Sequence, residues 1–182
     1  MKNRSFSIYL LLFFVSVATI IFIGRTINYK SDSANTYSKH DNANNAAAKL
    51  SQRLAEFKNA IDSNPQDTLK MREYANLLGG AHRDQEAAKV FENILAIGPN
   101  RIDVMLVLTY IYYTLGNTEK AEKYTNRVLS INKDNPEANF NLGILELKKG
   151  DKDKAKQILN SVIKRFPDNK VSVYAKSALM KL

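Results

Sequence analysis

Asn139–Asn169 reads NFNLGILELKKGDKDKAKQILNSVIKRFPDN, and the spacing of its small and turn-forming residues decides the fold. Leu142 and Gly143 lie early in it, Gly150 interrupts it, Ala155 follows and Pro167 nears its end. Stepping back 34 residues from each marker gives Leu108, Thr109, Gly116, Ala121 and Lys133. A second step of 34 gives Tyr74, Ala75, His82, Ala87 and Pro99. A fixed period of this kind means stacked supersecondary units, each burying a face on its neighbour. Gly116-Asn117 and Gly150-Asp151 read as turns, because glycine accepts a positive φ. Pro99, Pro136 and Pro167 punctuate the ends of units, since proline cannot continue a helix without losing a hydrogen bond. The spacing therefore predicts three helix pairs, at 68–101, 102–135 and 136–169.

These units resemble the tetratricopeptide repeat family. The third matches at Leu142-Gly143, Gly150, Ala155 and Pro167. The second matches at Leu108, Tyr112, Gly116 and Ala121, with Thr109 for the usual small residue and Lys133 for proline. The first matches at Ala75, Ala87, Phe91 and Pro99, and has Ala81-His82 where the turn glycine belongs. Met71, Met105 and Asn139 replace the family's tryptophan. The resemblance implies an all-α fold: a right-handed helical solenoid of three helix-turn-helix repeats between two capping helices. It also implies that Gly143 or Ala75 faces Ala155 or Ala87 where the paired helices cross.

Outward from the repeats, Leu50, Leu54, Phe57 and Ile61 fall on one helical face. Phe57 aligns with Phe91, so 46–67 reads as a second helix without its first, serving as an amino-terminal cap. A last helix in 170–182, carrying Val171, Tyr174, Ala178 and Leu179, reads as the carboxyl-terminal cap a solenoid requires. The segment 24–45 is rich in Asn, Ser, Asp and Lys and reads as a flexible tether. Phe6–Ile23, FSIYLLLFFVSVATIIFI, is uncharged. As a helix it spans ~27 Å, close to a hydrocarbon core of ~30 Å. Lys2 and Arg4 in the short tail 1–5 favour a cytoplasmic amino terminus, which puts the repeats on the periplasmic or cell-surface side. The alternative is a cleaved signal peptide ending at Ser16-Val17-Ala18; against it, the apolar run continues through Ile20–Ile23. The expected layout is thus a transmembrane signal-anchor, a tether and a repeat domain.

The 182 residues carry 27 basic and 18 acidic side chains, a formal charge of +9, and no cysteine. Disulfides, thiolate metal sites, a cysteine nucleophile and a lipidated cysteine are therefore excluded. His40 and His82 share no ligand spacing. The chain contains no G-x-x-x-x-G-K, G-x-G-x-x-G, G-x-S-x-G or H-E-x-x-H. We expect no enzymatic activity, no metal and no cofactor. Most acidic residues read as exposed helix positions, and Asp151 as a turn or cap residue.

In the family, first helices of successive units line a groove. That register places Arg72, Glu73 and Asn76 there from the first unit. The second contributes Leu106, Val107, Tyr110 and Tyr113, and the third Phe140, Asn141, Ile144 and Lys148. The second unit's first helix, IDVMLVLTYIYYTLG, is apolar nearly all round. Met105, Leu108 and Tyr112 supply its core stripe, so its other apolar residues need a separate reason. They form an aromatic groove for a polypeptide segment, or they are covered by neighbours on both sides. Some family members clamp a terminal carboxylate of chaperone tails. The matching positions are Leu69, Asp103 and Glu137, and Glu73, Val107 and Asn141; only Asn141 fits. A second surface, Lys149, Lys152, Lys154, Lys156, Lys164 and Arg165, reads as a solvated helix face or a contact for anionic lipid or polymer. No base-stacking or groove-reading element for nucleic acid is visible. The layout is similar to repeat-bearing accessory proteins of cytochrome c maturation. It implies a membrane-anchored scaffold that binds a polypeptide partner; the alternative is an envelope-organising protein whose basic carboxyl-terminal face binds anionic lipid or polymer, with self-association through the groove.

Overall fold

In a computed structural model of the chain the described residues are 36–182, with side chains described from Asn45. The expected anchor, 6–23, lies outside them, as does the tail 1–5. Among the described residues no helix is long and apolar enough to cross a membrane. The described chain is all-helical: α1 Thr36–Ser63, α2 Thr68–Gly80, α3 Asp84–Ile97, α4 Ile102–Thr114, α5 Thr118–Ile131, α6 Pro136–Lys149, α7 Lys152–Arg165 and α8 Lys170–Leu179. α1 starts within a first unit, Met1–Ala47, and ends within a second, Ala48–Leu182, which holds everything that follows. Its start at Thr36 differs from a tether running to 45. Thr36–Asn45 holds neither glycine nor proline, and Ala46-Ala47-Ala48 are strong helix formers. Once the costly first turn exists, each added residue gains a hydrogen bond.

Within the second unit the helices pack as hairpins, α2 on α3, α4 on α5 and α6 on α7, and α8 closes on α7 and α6. Their ends follow the same 34-residue register as the core. Asn117 and Asp151 cap α5 and α7 by accepting from the backbone N–H of Lys120 and Lys154 at 3.0 Å. Asp67, Asn135 and Asn169 cap α2, α6 and α8 likewise. Arg83 and Arg101 stand at the remaining cap positions and accept nothing; instead they bind Glu86 and Asp103 just inside the helices they precede.

Ala75, Ala87, Leu78, Ile94, Met105, Leu108, Ala121, Val128, Ala155 and Leu159 are fully or almost fully buried, and Leu54 of α1 joins this core. The crossing at Gly143 differs from the expected alanine contact. A Cβ there would meet Leu159 Cδ2 at 2.8 Å, Leu159 Cγ at 2.9 Å and Ile158 Cγ2 at 3.3 Å. The same positions one unit back are Thr109 and Thr125, whose hydroxyls lie 3.4 Å apart. Two units back they are Ala75 and Phe91, both buried. Small opposes large in two units and medium opposes medium in the other, so the crossing volume is shared between the two helices.

The three hairpin turns show what the missing glycine means. Gly116 and Gly150 have φ of +75° and +91°, and His82, at the equivalent position, has φ of +58°. A side chain in this region is crowded by its own carbonyl, at about 1–2 kcal/mol, part of which glycine returns through its freer unfolded chain. His82→Gly should therefore stabilise the domain by roughly 0.5–1 kcal/mol. Urea melts of the two proteins check this, and a lower midpoint for the glycine variant would contradict it.

Candidate functional site

First helices stand side by side, with α4 against α6 and α6 against α8. α2 joins this row through an ion pair between Arg72 and Asp103 at the start of α4. Asp103 also accepts from Arg101 Nε at 3.0 Å and Nη2 at 2.9 Å. The Arg101 hydrogen bond, opposed by partial burial and aided by the Arg72 charge, holds the Asp103 carboxyl below its ordinary value. The Arg72 guanidinium lies 6.0 Å from the centre of the Phe91 ring. This end of the row is therefore pinned by charge, with Glu73 exposed and Asn76 half-buried beside Arg72 in sequence.

The middle of the row is apolar. Leu106, Val107, Tyr110 and Tyr113 are half-buried, and each packs against the core while keeping part of its surface open. Neighbours thus cover part of every one of them, and the remainder forms a contiguous α4 surface. Burial raises the phenol of Tyr113 above its usual range. Burial, then the nearby charge of Asp84, does the same for Tyr110. Both hydroxyls stay neutral at physiological pH and suit a surface apolar along its length and polar at its tip. Lys148 of α6 reaches across, its ammonium 5.8 Å from the centre of the Tyr113 ring.

Three of the third unit's expected groove residues are less exposed than those of α4. Phe140, Asn141 and Ile144 are buried, at 1%, 7% and 2% exposure. The Phe140 ring sits 6.4 Å from that of Tyr174 in α8. Asn141, the sole match to the carboxylate clamp, is withdrawn from the surface with them. The row that remains accessible runs from Arg72 and Glu73 over the α4 residues to Lys148.

The basic surface is not uniform. Lys149 donates to Glu122 at 2.8 Å and to Glu146 at 3.0 Å, and Lys154 meets the same Glu146 oxygen at 3.0 Å. Arg165 binds Asp134 and Asn139 and stacks on Phe166. Lys152, Lys156 and Lys164 are exposed and form no ion pair among the described residues. Half of the predicted patch is thus neutralised inside the fold.

Two polar clusters escaped the sequence reading. Glu146 is 2% exposed, not at an exposed helix position. Burial opposes its charge, but hydrogen bonds from Lys154 and Lys149 prevail and hold its carboxyl low. One unit earlier Tyr112 and Lys120 replace Glu146 and Lys154. Tyr112 donates to Glu92 Oε1 at 2.7 Å, Tyr124 donates to it at 3.0 Å, and Lys120 Nζ reaches it at 3.2 Å. The two tyrosine rings stack at 5.9 Å, and the Lys120 ammonium lies 4.5 Å from the Tyr112 ring centre. The cluster ties α3, α4 and α5 together. The 34-residue match of the two pairs was the available signal.

These clusters make the stability of the fold depend on pH. Against burial, three hydrogen bonds keep Glu92 below its ordinary value. For such a depressed acid the stabilisation is present above the unfolded value and lost as pH falls through the folded one. Tyr124 behaves oppositely. Burial, then the hydrogen bond to Glu92, pushes its phenol up to about 12 from 10.0. Its contribution is complete below the unfolded value and lost as pH rises through the folded one. Stability should therefore fall between about pH 10 and 12, and Tyr124→Phe should make that fall shallower. Thermal melts across this range check it; an identical alkaline limb in the variant would contradict it.

A family model described as Tetratricopeptide repeat matches residues 80–131 and 126–179. Among solved structures, a tetratricopeptide repeat protein from Parabacteroides merdae is similar, at 20% identity and TM-score 0.64. The match covers 74% of this chain and 53% of that one, so this chain spans about half the length of that relative. YrrB, described as a TPR protein with an unusual peptide-binding site, is similar at 22% identity and TM-score 0.55, over 69% of this chain and 65% of that one. The first TPR of Spaghetti, solved with the HSP90 peptide SRMEEVD, is similar at 20% identity and TM-score 0.55, over 64% and 90%. At these identities the likeness is one of fold. No curated protein sequence matches the chain.

Proposed function

The chain belongs to the tetratricopeptide repeat family, and on that premise we propose that it is a membrane-anchored interaction scaffold that holds a polypeptide segment along its row of first helices. The observation that carries this reading is the α4 surface. Leu106, Val107, Tyr110 and Tyr113 pack against the core and are half-buried, an apolar and aromatic stretch within the row of first helices. They lie between the Arg72–Asp103 pair and Lys148. An extended or helical segment with apolar side chains fits such a surface, and the flanking charges would set its direction. A carboxylate clamp of the chaperone-tail kind is not proposed, because Asp103 is acidic and Asn141 is buried. Phe6–Ile23 would hold the scaffold in the membrane as a retained signal-anchor, with the repeats on the extracytoplasmic side. The partner would then be an envelope protein under assembly or maturation, the role suggested by the layout shared with cytochrome c maturation accessory proteins.

A second reading uses Lys152, Lys156 and Lys164, which are exposed and form no ion pair among the described residues: contact with anionic lipid or polymer. Salt separates the two, because exposed charge contacts are screened over about 8–10 Å at physiological ionic strength. Tyr110→Ala should weaken capture of the partner at least tenfold with little salt dependence, since aromatic anchors dominate interface energies. Pull-down from solubilised membranes at low and high salt measures this. Capture that survives Tyr110→Ala and disappears with salt would move the function to the lysine surface.

A further inference from the structure

α8 is half of a unit. It begins at Lys170, 34 residues after Pro136 opens α6, so the two helices share a register. In α6 one face lies against its own second helix, α7. Asn139 accepts from Arg165 at 3.1 Å, Gly143 meets Leu159, and Glu146 pairs with Lys154 at 3.0 Å. In α2 and α4 the outer two of these positions are Met71 and Leu78, and Met105 and Tyr112, all buried. α8 presents Val173, Ser177 and Met180 at the same three positions. Val173 is 65% exposed and Met180 85%, with the small Ser177 half-buried between them. Among the described residues no second helix covers this face.

We propose that this face of α8 is a docking site for an amphipathic helix of a separate, acidic polypeptide, seated where a fourth second helix would lie. Charge selects the occupant. From Lys148 to Leu182 the chain has ten basic and three acidic residues. Lys164, Lys170 and Lys176 are exposed and make no ion pair among the described residues, and Lys176 lies between Val173 and Met180 in sequence. A second copy fits poorly. An α8–α8 contact would set Lys176 and Lys170 against themselves. α1, the other lone half-unit, carries Arg53 where α3 carries the close-packed Ala87. The partner's sequence pattern follows from the helices that fill this position elsewhere: Ala87-Phe91-Ile94, Ala121-Thr125-Val128 and Ala155-Leu159-Val162. It has a large side chain opposite Ser177, as Leu159 lies opposite Gly143, a small residue four positions before it and an aliphatic one three after it, flanked by Asp or Glu.

The test uses the full-length chain and a dye-labelled peptide, EDEAEQILNSVIEE, which is the α7 sequence with its lysines and arginine changed to glutamate. Fluorescence anisotropy should show saturable binding that weakens with added salt. Val173→Glu with Met180→Glu should weaken it at least tenfold, as should Ser177→Phe. Lys176→Glu, which leaves the apolar contacts intact, should weaken it several-fold. The unmodified α7 peptide should bind at least tenfold less well, and Tyr110→Ala should change nothing. Val173, Lys176 and Met180 are exposed and Ser177 is half-buried, and circular dichroism of every variant should confirm an unchanged fold. Absence of saturable binding, or binding that survives the double variant, overturns the proposal. So does a concentration-dependent dimer in sedimentation that Met180→Glu dissolves, because a second copy would then occupy the face.

Discussion

Replacing Phe140 by alanine is expected to remove about 3–5 kcal/mol of stability and to release α8 at the same time. The repeat register alone would assign this ring to the partner surface. Its burial, at 1% exposure, and its position 6.4 Å from Tyr174 make it instead the ring on which the closing helix rests. Truncation would leave a cavity shared by two helices, and the terminal one has few other anchors. Val171, Ser172, Ala175 and Ala178 are its buried residues, all of modest size. Urea unfolding would report the lost stability, and hydrogen exchange should rise first in Lys170–Leu179. A variant of full stability that no longer captured the partner would return Phe140 to the groove.

Gly143→Leu should cost about 1–3 kcal/mol through overpacking. The nearest obstacle, Leu159, is 0% exposed and hemmed in on every side. An alanine there would gain up to about 1 kcal/mol of helix propensity against the same overlap, so the larger side chain gives the cleaner result. The volume-sharing between units supplies a stricter check. Gly143→Thr should destabilise, and adding Leu159→Thr should restore part of the loss, because the pair then reproduces Thr109 and Thr125. A double-mutant cycle in thermal melts should show a favourable coupling above the ~0.5 kcal/mol expected for independent sites. Additive losses would mean that the two helices do not share this crossing.

The period of 34 made the hairpins legible, because it is carried by backbone needs: small residues where helices cross, glycine where φ turns positive, and polar caps. Gly116, Gly150, Ala121 and Ala155 each report such a need directly. What lay beyond it depended on neighbours that the pattern does not name. Phe140, Asn141 and Ile144 occupy groove positions in the register, yet are buried in this fold, Phe140 against Tyr174 of α8. Glu146 looked like one more surface acid, and only the meeting of Lys149 from its own helix and Lys154 from the next makes its burial tolerable. The family resemblance sets Gly143 against Ala155, one helical turn from its actual neighbour Leu159. The start of α1 at Thr36 depended on propagation from an alanine run, with no apolar face of its own to announce it.

On this reading the α4 surface holds another polypeptide. The most direct measurement places a photo-crosslinking amino acid at Tyr110 in the living cell and identifies the adduct by mass spectrometry. The expected result is one discrete polypeptide adduct, diminished when Leu106 and Tyr113 are replaced by alanine. No adduct, or an adduct only with a second copy of the chain, would contradict it.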